Sequence, residues 1–179
     1  RGWERAAKGA CPSYFFDLNL HRRFLKKGRP QNPFTPPVSV FYGLAESLRL
    51  LEGFGWDAWA RRTRRKARSF EAACKAMGFE LFVREKEFRS PVMTALEVPP
   101  GKERPMKKAL EDMGIIVAEG QGRDGGTLRI AHYNPGGWPE VCLLAGGLFG
   151  AARECGIDVG DGFLDKALKT WEREGDRSC

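Results

Sequence analysis

Glycine and proline cut this chain into segments whose lengths leave few folds open. Thr35 followed by Pro36 reads as a helix start, a hydroxyl N-cap and then a residue whose missing N–H costs least there. The helix is expected through VSVFYGLAESLRLLEGF, stopping near Gly53 and Gly55. A second helix runs from Trp56 to about Met77. Along it Trp56, Trp59, Thr63, Ala67, Phe70, Cys74 and Met77 recur at helical spacing, and Gly78 is placed to cap it. FELFV and VMTALEV read as strands, and PPGKERPMKKALEDMG as a turn and a short helix closed by Gly114. GIIVAEG and TLRIAHY read as two more strands joined through GQGRDGG. A long helix from Pro139 to about Cys155 and a final one from about Gly162 to Glu172 complete the pattern.

From Phe79 onward the order is strand, strand, helix, strand, strand, helix, with two long helices in front able to cover a sheet. That is an α/β fold, a small sheet with helices packed mainly on one face. Residues 1–37 read mostly as connector, because one short apolar stretch, Tyr14 to Phe16, is followed by a Pro/Gly/Asn-rich run. Residues 38–157 form the expected domain and 158–179 a helical extension. The chain opens at Arg1 without a methionine and on a polar segment with no strand, so it is expected to be a piece of something longer.

At 179 residues and 42% hydrophobic content the chain can bury a sizeable core. No apolar run approaches the roughly 18 residues of a membrane span, and the first twenty residues lack the order of a signal peptide. A cytoplasmic protein with no membrane partner is expected. Five scattered cysteines without CxxC spacing support neither a disulfide framework nor a metal site. The net charge of +7 raises nucleic acid as a partner, and its densest source is ARRTRRKARSF. On a helical period those arginines fall opposite the apolar stripe, so a solvated basic face is preferred over a nucleic-acid site.

One strand carries a guanidinium between two apolar residues: Arg129 lies between Leu128 and Ile130, with glycines close on both sides. A planar, permanently charged fork suits a carboxylate in a partly dry pocket, and nearby glycines allow close backbone approach. His132, three positions on, faces the other side of the strand and reads as a packing residue.

The order TPPVSVFYGLAESLRLL, then ARSFEAACKAMGFELFVRE, then TLRIAH followed by a helix resembles the C-terminal part of class V aminotransferases, over about Ser13 to Gly156. Those are fold-type I, pyridoxal-phosphate-dependent enzymes of the alanine–glyoxylate and serine–pyruvate kind. The resemblance implies the C-terminal small domain of that fold. It also implies that Arg129 binds the substrate α-carboxylate and that Thr35 reaches across a dimer to the cofactor phosphate. Asn32 stands where some relatives carry a tyrosine or threonine. The lysine that forms a Schiff base with the cofactor, the carboxylate paired with its pyridine nitrogen and the stacked aromatic ring all precede the matched region. Lys8 lies too close to the start to be that lysine, so no catalytic residue is assigned in this chain.

The implied protein is the substrate-binding, dimer-completing portion of a transaminase for a small amino acid such as alanine or serine and a 2-oxo acid such as glyoxylate or pyruvate. It is inactive alone and completed by a large-domain polypeptide carrying the Schiff-base lysine, in a homo- or hetero-oligomer with a dimer-shared site. IIVAEGQGRDGGTLRI holds no cysteine, which favours transamination over the sulfur transfer of cysteine desulfurases. The alternative is a non-catalytic α/β regulatory or assembly subunit that kept the fold.

Overall fold

The computed structural model describes residues 2–9, 11, 13–26, 28–120 and 126–176, the side chain of residue 176 excepted. The chain divides into two compact units, Arg1–Gly53 and Phe54–Cys179. Among the described residues no helix is long and apolar enough to cross a membrane.

The first unit holds α1 (Gly2–Lys8), α2 (Leu18–Leu25) and most of α3 (Val38–Phe54). Neither α1 nor α2 is anticipated by the sequence reading. Asp17 caps α2, its Oδ1 accepting from the Asn19 amide at 2.8 Å, and Asn19 Nδ2 donates to the Ala6 carbonyl at 2.7 Å, tying the two helices together. Phe34 stacks on Phe15 at 4.4 Å and meets the His21 ring edge-on at 5.0 Å, giving the connector a small, partly exposed aromatic cluster.

Helix α3 starts at Val38, not after Thr35. The Val38 amide bonds the Pro36 carbonyl at 2.8 Å, and the Pro37 carbonyl accepts from Val40 and Phe41. Pro36 precedes another proline, which disfavours the helical region for it, so the helix begins only beyond Pro37 and Thr35 caps nothing.

The second unit contains α4 (Trp56–Ala76), β1 (Met93–Glu97), α5 (Glu103–Asp112), β2 (Ala118–Glu119), β3 (Thr127–Ala131), α6 (Trp138–Glu154) and α7 (Phe163–Asp176). The three strands form an antiparallel sheet in the order β1-β3-β2. One sheet face, with Leu96, Leu128 and Ile130, is buried with Phe70 and Cys74 of α4, Met106 and Leu110 of α5, and Val141 and Leu148 of α6. Helix α7 packs across α4 and α6 and buries Ala167 completely. The expected α/β arrangement, a small sheet with helices on one face, is the fold observed.

Two glycines end helices as the sequence indicates. Gly78, at φ +95°, lets the Phe79 amide return to the Cys74 carbonyl, and Gly114, at φ +79°, lets Ile115 return to Leu110. Two strands are shorter than expected. FELFV makes a single bridge, Leu81 to Leu96, because Arg89 turns the chain away: its Nε and Nη2 take the carbonyls of Val83 and Arg84 that a ladder would use. GIIVAEG contributes only Ala118 and Glu119, its first residues being spent leaving α5 and burying Ile115 and Val117. Of GQGRDGG, residues 121–125 lie outside the described residues.

The arginine-rich face of α4 is solvated only in part, at the exposed Arg61 and Arg64. Arg62 Nε donates to the Gly136 carbonyl and Arg65 Nε to that of Trp171, both at 2.7 Å, while Arg68 pairs with Glu174. Lys66 is buried. The helix is sandwiched between the sheet and the outer helices, so its polar side carries packing as well as charge.

Candidate functional site

The strand register sets the surroundings of Arg129. On β3 the burial alternates: Leu128 and Ile130 point into the helical layer, and Thr127 and Arg129 onto the face the helices leave uncovered. Arg129 is the central residue of the central strand, paired with Ala95 of β1 on one side and Ala118 of β2 on the other. Two alanines flank a long side chain, so the guanidinium is not crowded sideways. Its Nε donates to the Glu119 carbonyl at 3.0 Å, which fixes the plane of the fork. Both Nη groups make no hydrogen bond among the described residues. The result is a half-buried, oriented pair of N–H donors with nothing to bind, which is what a carboxylate or phosphate requires.

Ala95, Ala118 and the Glu119 carbonyl are the parts of this site that sequence reasoning missed. The signal was present in MTALEV, where Ala95 and Glu97 alternate with the buried Leu96 and Val98, and in IIVAEG, where Ala118 follows the buried Val117.

Behind the sheet the polarity is of a different kind. His132 is completely buried, its Nε2 2.8 Å from Thr94 Oγ1 and its ring 5.4 Å from that of Phe70. Burial, with the positive Lys66 nearby, pushes its pKa down to about 4, so the imidazole is neutral. Lys66 Nζ donates to the carbonyl and side chain of Asn134 at 2.6 and 2.7 Å and to Glu140 at 3.1 Å. Burial lowers the lysine pKa against the opposing pull of Glu140. Thr94 and Ile130 share the helical face, so His132 lies on the side of the sheet opposite Arg129 and serves packing.

Asn32 and Thr35 belong to the first unit, on the connector between α2 and α3, and both are exposed. The Thr35 hydroxyl has no hydrogen-bond partner among the described residues. Arg129 belongs to the second unit.

No family model matches the chain. Across 97% of its length it is 29% identical to an uncharacterized aminotransferase of Methanocaldococcus jannaschii, of which it covers 46%. Over 73% of the chain it is 33% identical to serine–glyoxylate aminotransferase of Arabidopsis thaliana, of which it covers 32%. The crystal structure of ureidoglycine–glyoxylate aminotransferase from Bacillus subtilis superposes with a TM-score of 0.78 and 26% identity, over 94% of this chain and 44% of that one. The chain therefore spans less than half the length of the relatives it matches.

Proposed function

Because the chain belongs to the class V aminotransferase family and matches the C-terminal part of its longer members, we propose that it is the substrate-carboxylate-binding, dimer-completing portion of a pyridoxal-phosphate-dependent transaminase. The substrates are a small amino acid such as alanine or serine and a 2-oxo acid such as glyoxylate or pyruvate. The observation that carries this reading is Arg129: a guanidinium anchored through Nε to the Glu119 carbonyl and flanked by two alanines, both Nη groups without a hydrogen bond among the described residues.

In this reading the Nη pair binds the substrate α-carboxylate end-on, and the Glu119 carbonyl keeps the fork from rotating out of plane. Holding the carboxylate at a fixed position sets where the α-carbon lies, which is the positioning contribution to the rate. Pyridoxal phosphate, when bound, supplies the electron sink for loss of the α-proton. Thr35 fits its phosphate: the hydroxyl is exposed and uncommitted, so it can donate to a phosphate oxygen. Main-chain donors beside it are scarce, since Pro36 and Pro37 have none and the Val38 amide is already bonded. Asn32, exposed three residues earlier, offers an amide to the same group.

The large-domain polypeptide supplies the lysine and the partner of the pyridine nitrogen. Helix α3 supports such a partner, since Val40, Phe41, Tyr42, Leu44 and Leu48 are all exposed and it has no buried residue. The test is reconstitution. The chain alone should show no transaminase activity with alanine or serine as donor and glyoxylate as acceptor, and mixing with the large domain of a family member should produce it. Activity in the isolated chain, or none in a mixture that forms a stable complex, contradicts the reading.

A further inference from the structure

A cavity lies in the helical layer, between α4, the first turn of α6 and α7, with a volume of about 700 Å³. Small-molecule sites run from about 300 to 1,000 Å³, so this one is large enough for a ligand and not merely a packing defect. Its lining is unusual in charge. Arg61, Arg62 and Arg65 face it, and the one carboxylate among the lining residues, Glu140, is already matched by the buried Lys66. Three cations therefore remain without a counter-charge in the wall of a single cavity.

Two of those cations are held rigidly. Arg62 is fixed by the Gly136 carbonyl and lies over the Phe54 ring at 5.2 Å; Arg65 is fixed by the Trp171 carbonyl and lies over that residue's own ring at 4.0 Å. In each case Nε is spent on the main chain, and both Nη groups remain without a hydrogen bond among the described residues. Donors ordered in advance lose little entropy when an anion arrives. Arg61 is exposed and makes no hydrogen bond or ion pair among the described residues. The first turn of α6 also opens here, from Gly137, with no side chain capping it. Its partial positive charge adds to that of the arginines.

The rest of the wall asks for something flat. Trp138 and Trp171 both line the cavity, with ring centroids 5.8 Å apart and planes tilted by 46°. Glu140 does not compete for the guanidinium donors: Lys66 holds one of its oxygens, and Oε1 is buried, with no hydrogen-bond partner among the described residues.

We propose that this cavity binds a purine nucleoside monophosphate. The phosphate sits on the three guanidiniums and the base lies against the indoles. This site involves none of the residues assigned to amino transfer, so the two readings stand or fall separately.

The experiment is isothermal titration of the full chain with adenosine monophosphate, with adenosine and inorganic phosphate as separate probes. One-to-one saturable binding is expected, with adenosine and phosphate each weaker by about tenfold or more, since each lacks one set of contacts. Arg61→Ala, at an exposed position, should weaken the nucleotide about tenfold with an unchanged melting temperature. Ala58→Phe, which fills the cavity from α4, should abolish binding. No saturable binding by the unaltered chain overturns the proposal. So does adenosine or phosphate binding as tightly as the nucleotide, or an Arg61→Ala chain that binds it as well as the parent.

Discussion

Acidification should remove a definite share of this fold's stability through His132. The ring is completely buried among Thr94, Phe70 and the positive Lys66, and its pKa is pushed from 6.5 to about 4. The folded value lies below the unfolded one, so between those two pH values the unfolded chain binds more protons and stability falls as pH falls. Above pH 6.5 the imidazole is neutral in both states and contributes no slope. The full depression is worth about 3 kcal/mol, of which about 2 kcal/mol is lost by pH 5, before most carboxylates titrate.

Urea unfolding at pH 7 and pH 5 measures this, on the parent and on His132→Gln, which keeps a hydrogen-bonding group near Thr94 but cannot titrate. Whatever the variant loses at pH 7, its stability gap from the parent should narrow by about 2 kcal/mol at pH 5. A gap that stays constant refutes the reasoning. Should the variant fail to fold, an NMR titration of the parent's His132 ring decides instead, and a midpoint near 6.5 refutes it equally.

Two substitutions probe other parts of the account. Thr35→Ala should leave the melting temperature unchanged, because Thr35 does not cap α3. In the reconstituted enzyme it should weaken cofactor binding by about 1.5–3 kcal/mol, the worth of a hydrogen bond to a charged group; a spectroscopic cofactor titration reads this, and unchanged affinity removes Thr35 from the site. Gly160→Ala would bring a Cβ to 2.6 Å from the Ala76 carbonyl, a main-chain atom with little room to move. It should destabilise the fold by about 1–3 kcal/mol in urea, and an unshifted midpoint contradicts that packing.

Much of the fold was written in short-range chemistry. Gly78 and Gly114 announce the ends of α4 and α5 because only a residue at ease with positive φ closes a helix that way. The alternation Leu128, Arg129, Ile130 announces a strand with one wet face, and the guanidinium at its centre marks the candidate site. What was not legible depends on contacts distant in sequence. Lys66 sits within a run of arginines and looks solvated, yet the loop at Asn134 and the start of α6 enclose it. FELFV has the pattern of a full strand and lost its ladder to the Arg89 side chain. Helix α2 did carry a local signal, Asp17 before Leu18, but the prolines beyond it made the region read as connector.

The claim at the centre of this account is that Arg129 holds the substrate carboxylate. Steady-state transamination by the reconstituted enzyme, with Arg129→Lys and Arg129→Ala beside the parent and a melting curve for each, tests it most directly. Lysine keeps the charge and loses the two-pronged geometry, so kcat/KM should fall clearly even there. Alanine leaves a carboxylate unpaired in a partly desolvated site and should cost on the order of 2–5 kcal/mol in transition-state stabilisation, with melting temperature and cofactor binding nearly unchanged. A variant with normal kcat/KM, or one whose loss of activity is matched by an earlier melt, would make Arg129 a structural arginine and contradict the claim.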